Sequence, residues 1–185
     1  MAHTFDADGA DRLEDVGRFR FCSRDELVAL VGAGADRVVD LGSGTGFYTR
    51  EVAPHVDTCY GLDVQPVMHD HHRRHGQPAN VRLVTGEVDA LPFADDSLDV
   101  AVSTMTFHEL CTPRGLAEVA RVLRPGGRFA SVDWSAEGEG NDGPGMADRQ
   151  SAASAAALLR EAGFTIERAE ERPETFVVLA MAPGD

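Results

Sequence analysis

Short apolar runs rich in β-branched residues alternate along the chain with longer stretches whose apolar positions recur at helical spacing. The runs read as strands over Arg37–Leu41, Thr58–Leu62, Val81–Val84, Ser97–Ser103, Arg128–Asp133, Phe164–Ala169 and Thr175–Met181. Helices are predicted over Arg24–Val31, Phe47–Ala53, Gln65–His75, Arg114–Leu123 and Asp148–Ala162. Local signals agree with these limits. Ser23 can cap the first helix, with Glu26 three residues on as its capping-box partner. Pro54 ends the second, Arg124-Pro125-Gly126-Gly127 stops the fourth, and Gly163 lies just past the fifth. Strand and helix in alternation predict an α/β fold with a mostly parallel sheet covered on both faces. The last two strands are joined by a turn at Arg172-Pro173 without a crossover helix, so one of them must run antiparallel. Ala136–Gly145 reads as a surface loop, and Met1–Asp11 as a frayed end.

Composition narrows the partners. The 185 residues fit one domain. Asp and Glu number 31 against 17 cations, every one an arginine, and the formal charge is -14. Such a surface repels phosphate backbones and anionic membranes, which excludes nucleic acid and membrane as expected partners. It also repels itself, and salt screens that repulsion. The composition resembles that of proteins from salt-loving organisms; a high-GC genome would explain the missing lysine but not the excess acid. The start of the chain is polar and no apolar stretch reaches membrane-spanning length, so the expected location is the cytoplasm. Cys22, Cys59 and Cys111 are scattered and form no CxxC pair, which argues against a disulfide framework and a zinc site.

The segment with the clearest chemistry is VVDLGSGTGFYT, Val38–Thr49. Gly42, Gly44 and Gly46, with Ser43 between them, sit between a strand and a helix, where glycine permits close approach of backbone to a ligand and the helix start offers free N–H groups. The pattern is GxGxG. Phe47 occupies the last glycine position of the dinucleotide fingerprint, which counts against a nicotinamide oxidoreductase. Asp40, two residues before the turn, and Asp63 and Glu87 beyond it lie at or near the ends of the first three strands, on the edge where open α/β sheets bind ligands. A carboxylate at Asp63 can accept both hydroxyls of a ribose. One at Glu87 can accept from an adenine amino group while the backbone of Val88 pairs a ring nitrogen; Asp89 is a rival with the position of a capping residue.

VVDLGSGTG, YGLDV, GEVDALPF, ADDSLDVAVST and RVLRPGGRF, in this order, resemble the class I S-adenosylmethionine-dependent methyltransferases, closest to their small-molecule branch. The resemblance covers about Arg37–Asp133 and extends more loosely through RPETFVVLA. It implies a Rossmann-like, doubly wound sheet of seven strands with the last antiparallel, here residues 36–185, behind an N-terminal helical cover, 1–35. It implies S-adenosylmethionine as cofactor and S-adenosylhomocysteine as product. Asp40 and Gly42–Gly46 would hold the methionine end, Asp63 with Val64 the ribose, Glu87 and Val88 the adenine, and Ser103 would lie beside the sulfonium. Relatives often carry Asp where this chain has Glu87.

The activated methyl group asks the protein mainly for alignment and exclusion of water. His108, in STMTFHE after the fourth strand, matches a histidine position of the family and is a candidate base; a histidine merely hydrogen-bonded in its loop is the alternative. Tyr48, Asp133 and Trp134 are candidates for lining the acceptor pocket, with packing as the alternative for Tyr48 and Trp134. Phe19 and Phe21 can close the cofactor site, and Arg20 can meet an anionic group; ordinary helix packing is the competing account. His71 and His75 share a helix face as metal ligands might, but with no acidic ligand at a suitable turn the expectation is a solvated face and no metal. The unclustered cysteines give little support to arsenite methylation. The expected partner is a small-molecule acceptor, and a homodimer completing the pocket is compatible with the short N-terminal cover. A non-catalytic protein that only binds the cofactor or its product is the remaining alternative.

Overall fold

The computed structural model describes residues 7–184. Seven strands, β1 Arg37–Leu41, β2 Thr58–Asp63, β3 Val81–Thr85, β4 Leu98–Thr104, β5 Leu123–Trp134, β6 Thr165–Glu171 and β7 Thr175–Met181, form one sheet. Their order is β3-β2-β1-β4-β5-β7-β6. The pairs among β1 to β5 are parallel, and β7 runs antiparallel to both β5 and β6. This is the doubly wound sheet with a reversed last strand that the sequence predicts.

Six α-helices accompany it: α1 Arg24–Val31, α2 Thr49–Val52, α3 Pro66–Arg74, α4 Phe107–Leu110, α5 Pro113–Val122 and α6 Ala152–Glu161. Alternation along β1 sends Val39 and Leu41 into one core layer and Val38 into the other. The first layer packs Leu116 and Val119 of α5 and Leu159 of α6 with Phe107, Phe129 and Phe176. The second packs Leu27 and Leu30 of α1 with Val52, Val100 and Val177. Burial of about 2 kcal/mol per large side chain makes these layers the main support of the sheet edge where the site lies.

Departures from the predicted limits have local causes. Ser23 caps α1 by accepting from the Glu26 N–H at 3.2 Å, but the Glu26 carboxylate serves Arg172 across the fold instead of returning to the cap. α2 starts at Thr49 rather than Phe47, because the Gly46 N–H turns back to the Ser43 carbonyl at 2.9 Å. α6 starts at Ala152 because Ser151 and Ser154 close a reciprocal capping box there. The run before it instead buries Arg149, whose guanidinium donates to the carbonyls of Pro144 and Asp142. β5 extends back to Leu123, which pairs with Leu98 ahead of a register shift. Of the stretch expected to fray, residues 1–6 lie outside the described part, while Ala7–Glu14 forms a 3-10 helix followed by another at Val16–Arg20.

Candidate functional site

The carboxyl ends of β1, β2 and β4 converge on the glycine turn. Gly42, Gly44 and Gly46 have φ of 72°, 52° and 83°, the left-handed region. Two of them are also pressed by neighbours. A Cβ on Gly42 would stand 2.3 Å from the Thr106 methyl carbon, and one on Gly46 would stand 2.3 Å from the His72 ring. The expectation of bare N–H groups on these glycines is corrected. The amides of Gly42 and Ser43 both donate to the Leu62 carbonyl at 2.9 Å, Gly44 donates to Asp63 at 2.8 Å, and Gly46 donates to Ser43. The turn spends these donors on its own shape, so what it offers a ligand is close approach and acceptor oxygens.

Asp40 is buried at the end of β1. Its Oδ2 accepts from Thr49 at 2.6 Å, while Oδ1 has no hydrogen-bond partner among the described residues. Burial raises its carboxyl to about 6, against the opposing pull of the Thr49 hydroxyl and the Arg18 charge. Asp63 accepts from the Gly44 and Gln65 amides, each at 2.8 Å, one on each oxygen. Burial raises its pKa and those amides oppose the shift. The carboxylate, with about four lone-pair sites, keeps capacity for another donor. Val64 beside it is exposed. Glu87 is exposed at the start of a short 3-10 turn, and Val88 packs against the core. Asp89 is occupied, accepting from the Thr112 cap of α5 at 2.7 Å. Ser103 is fully buried, with an Oγ that has no partner among the described residues.

The N-terminal segment covers this edge. The Leu13 side chain reaches to 3.3 Å of where a Gly44 Cβ would stand. Arg18, not singled out by the sequence reading, lies over the rings of Phe47 and Tyr48, 5.2 and 4.9 Å from their centroids, and donates to the Leu13 carbonyl at 2.6 Å. Phe19 stacks on Phe47 at 4.8 Å. Tyr48 is buried among these rings, and its hydroxyl donates to the Arg18 carbonyl at 3.0 Å, as the packing alternative has it. Arg20 pairs with Asp142 at 2.8 Å, both side chains being exposed.

At the end of β4 the chain reverses through Met105, a non-glycine residue at φ 60°, and α4 begins. Strain of about 1–3 kcal/mol is stored in such a conformation. The reversal brings His108 onto β5. The Asp133 carboxylate accepts from the His108 backbone N–H at 2.6 Å and meets ring Nδ1 at 2.9 and 3.1 Å. It also accepts from the Trp134 N–H at 2.8 Å. Asp133 is fully buried, and its carboxylate orients the histidine. Burial pulls the His108 pKa down, but the hydrogen bond and charge of Asp133 outweigh it and the net shift is upward. Ring Nε2 faces Glu109 at 3.8 Å. Trp134 is half-buried, with Phe21 edge-on at 4.7 Å and Gly143 flat against its indole. A cleft of about 620 Å³ is lined by Phe19, Phe21, Asn141, Arg172 and Thr175 among others; neither Trp134 nor His108 lines it, and Phe21 is its link to Trp134.

The three cysteines are free, and burial raises the pKa of each thiol, that of Cys22 to about 12. They are poor thiolates. His71 and His75 do have an acidic neighbour, Asp11, from a part of the chain far away in sequence.

Residues 39–131 match the family model described as a methyltransferase domain. A demethylmenaquinone methyltransferase of Mycobacterium sp. strain KMS is 35% identical over 141 residues, covering 73% of this chain and 60% of that protein. A malonyl-[acyl-carrier protein] O-methyltransferase of Methylococcus capsulatus is 40% identical over 99 residues, 51% of this chain and 36% of that one. The chain thus spans between about a third and three-fifths of these relatives' length. Among solved structures, a SAM-dependent methyltransferase from Aquifex aeolicus superposes with a TM-score of 0.85 at 28% identity, covering 97% of this chain and 100% of that one.

Proposed function

The chain belongs to the methyltransferase domain family, in the class I S-adenosylmethionine-dependent branch, and from that premise we propose that it methylates a small-molecule acceptor. The observation that carries the cofactor reading is Asp40 Oδ1, a buried carboxylate oxygen left without a partner beside a turn that side chains cannot fill. The donor set fits the ligand. The methionine end carries an ammonium beside its carboxylate; the ammonium calls for an acceptor, and Asp40 supplies one. Asp63 has lone pairs for ribose hydroxyls, and exposed Glu87 with the Val88 backbone stands where adenine would lie. Ser103 and the backbone around it would border the sulfonium.

When bound, S-adenosylmethionine supplies a methyl group on a sulfonium and leaves as S-adenosylhomocysteine. The residues of the chain have the remaining tasks. The turn and the three carboxylates fix one reactant, and alignment of this kind is worth about 7–11 kcal/mol. Phe19, Phe47 and the cover exclude water. His108, held by Asp133, presents Nε2 to take the proton an acceptor hydroxyl or thiol loses. The cleft lined by Phe21, the ring partner of Trp134, is our candidate for the acceptor. The named acceptors of the two relatives differ from each other, and the chain is shorter than both proteins, so neither is assigned here.

We further take 1–35 as cover and 36–185 as catalytic core of one domain, working in a salt-rich cytoplasm, a reading supported by the charge of -14. No helix among the described residues is long and apolar enough to cross a membrane. The test is calorimetric titration of S-adenosylmethionine in molar KCl, followed by a screen for S-adenosylhomocysteine release over a metabolite panel. The expected result is binding that Asp40→Asn weakens at least tenfold, consistent with one charge-assisted hydrogen bond of about 1.5–3 kcal/mol. Equal affinity in the two proteins, or none in the native chain, refutes the assignment.

A further inference from the structure

The N-terminal 3-10 helix and α3 meet at a second constellation of polar side chains. His71 and His75, four positions apart at the end of α3, share one face, and Asp11 reaches them from Ala7–Glu14. One ligand atom from each of the three lies within 4.8 Å of the other two. His71 Nδ1 is 3.9 Å from Asp11 Oδ1, too far for a hydrogen bond. Two ligands of one tetrahedral zinc ion stand about 3.4 Å apart, given bonds of about 2.0–2.2 Å. Asp11 is exposed and free to turn toward His71, and the remaining ligand atoms, within 4.8 Å of one another, need only side-chain adjustments to draw together.

Two further atoms mark the place. His71 Nδ1 and Glu14 Oε1 are buried with no hydrogen-bond partner among the described residues. Such atoms cost stability unless something satisfies them. The other Glu14 oxygen accepts from Arg50 and lies 3.8 Å from His75 Nδ1, within reach as the carboxylate that orients that imidazole.

We propose that Asp11, His71 and His75 bind a borderline divalent cation of the zinc, cobalt or nickel kind, and that this ion fastens the N-terminal cover to α3. Imidazole nitrogens favour such ions over magnesium or calcium, which take oxygen ligands. The consequence for the neighbouring cradle follows from connectivity. Asp11 is two residues before Leu13, which lies over Gly44, and His72, adjacent to His71, is pressed against Gly46. An ion at this point would hold the cover down on the glycine turn. The metal site itself does not rest on the methyl-transfer reading; only the coupling to the cradle does.

The test is calorimetric titration of zinc chloride into the full chain after chelator treatment, without S-adenosylmethionine. The expected result is one ion per chain. Asp11→Ala, which removes an almost fully exposed side chain, and His71→Ala should each weaken binding at least tenfold. His55→Ala, at an exposed histidine elsewhere, should leave it unchanged. Zinc should also raise the melting temperature of the native chain and not that of Asp11→Ala. Absence of stoichiometric binding, or full affinity in Asp11→Ala or His71→Ala, overturns the proposal.

Discussion

Asp133→Asn is the most informative single change. It keeps the shape of the side chain and removes its charge. The native carboxylate takes the His108 N–H at 2.6 Å, the His108 ring at 2.9 Å and the Trp134 N–H at 2.8 Å. An amide has one acceptor oxygen and turns an NH₂ toward the remaining donors. At least one buried N–H then faces a donor, which costs about 1–3 kcal/mol, and a charge-assisted bond worth about 1.5–3 kcal/mol is lost as well. The expected loss of stability is about 3–5 kcal/mol, the range for breaking a buried pair from one side. The imidazole reports the same event separately. In the native chain Asp133 outweighs burial and raises the His108 pKa; with the charge gone, burial remains and the pKa must fall. The sign for stability follows. A histidine raised on folding contributes fully below its unfolded pKa of about 6.5, and that contribution is lost as pH climbs through the higher folded value. The melting-temperature gap between native and variant should therefore be wider at about pH 5.5 than at about pH 9. For a base at His108, kcat/KM rises with pH along a limb above the usual histidine range, and the variant moves that limb to lower pH with a reduced plateau. NMR titration of the histidine ring protons, with His108→Ala to assign the signal, measures the shift directly. An unmoved or higher His108 pKa in the variant would refute the orienting role of Asp133.

Two further outcomes are expected. Gly46→Ala should cost about 2–5 kcal/mol, combining left-handed backbone strain of about 1–2 with overpacking of about 1–3 against the His72 ring. In a denaturant series, His72→Ala should recover part of that loss in the double variant, and strict additivity would mean that the two do not touch. Raising KCl from millimolar to molar should raise the melting temperature, because it screens the self-repulsion of a chain with a formal charge of -14; a lower value at high salt would count against the salt-adapted reading.

Strand positions were legible because each buried run is dictated by its own residues: β1 and β7 match their predicted limits. Helix starts were less so. Thr49 and Ala152 begin their helices where a backward hydrogen bond and a capping box decide, and both depend on which of several polar residues wins locally. The site divides the same way. Asp40, Asp63 and Glu87 stand at or near strand ends on one sheet edge, a placement fixed by topology and therefore visible in the chain order. The direction of the glycine amides was not visible, because a GxGxG turn can point its donors outward or close them on Leu62 and Asp63 with the same sequence.

What the sequence hid most completely are contacts that need distant segments to meet. His108 carried a family signal, yet its partner Asp133 read as a pocket residue; only the reversal at Met105 puts the two together. The same holds for the cover. Arg18 lies among ordinary arginines in the sequence, but in the fold it stacks on Phe47 and Tyr48 while its charge favours ionised Asp40. That arrangement has a mechanical meaning. The cover lends Asp40 a cationic neighbour from the chain itself, as the ammonium of the proposed cofactor would. On the proposed cofactor reading, a ligand ammonium at Asp40 would meet the charge of Arg18, and the cover would have to yield for the cradle to fill. Asp11, two positions before Leu13 on that segment, is also the residue that reaches His71 and His75, and the attachment proposed there would set how readily the cover yields.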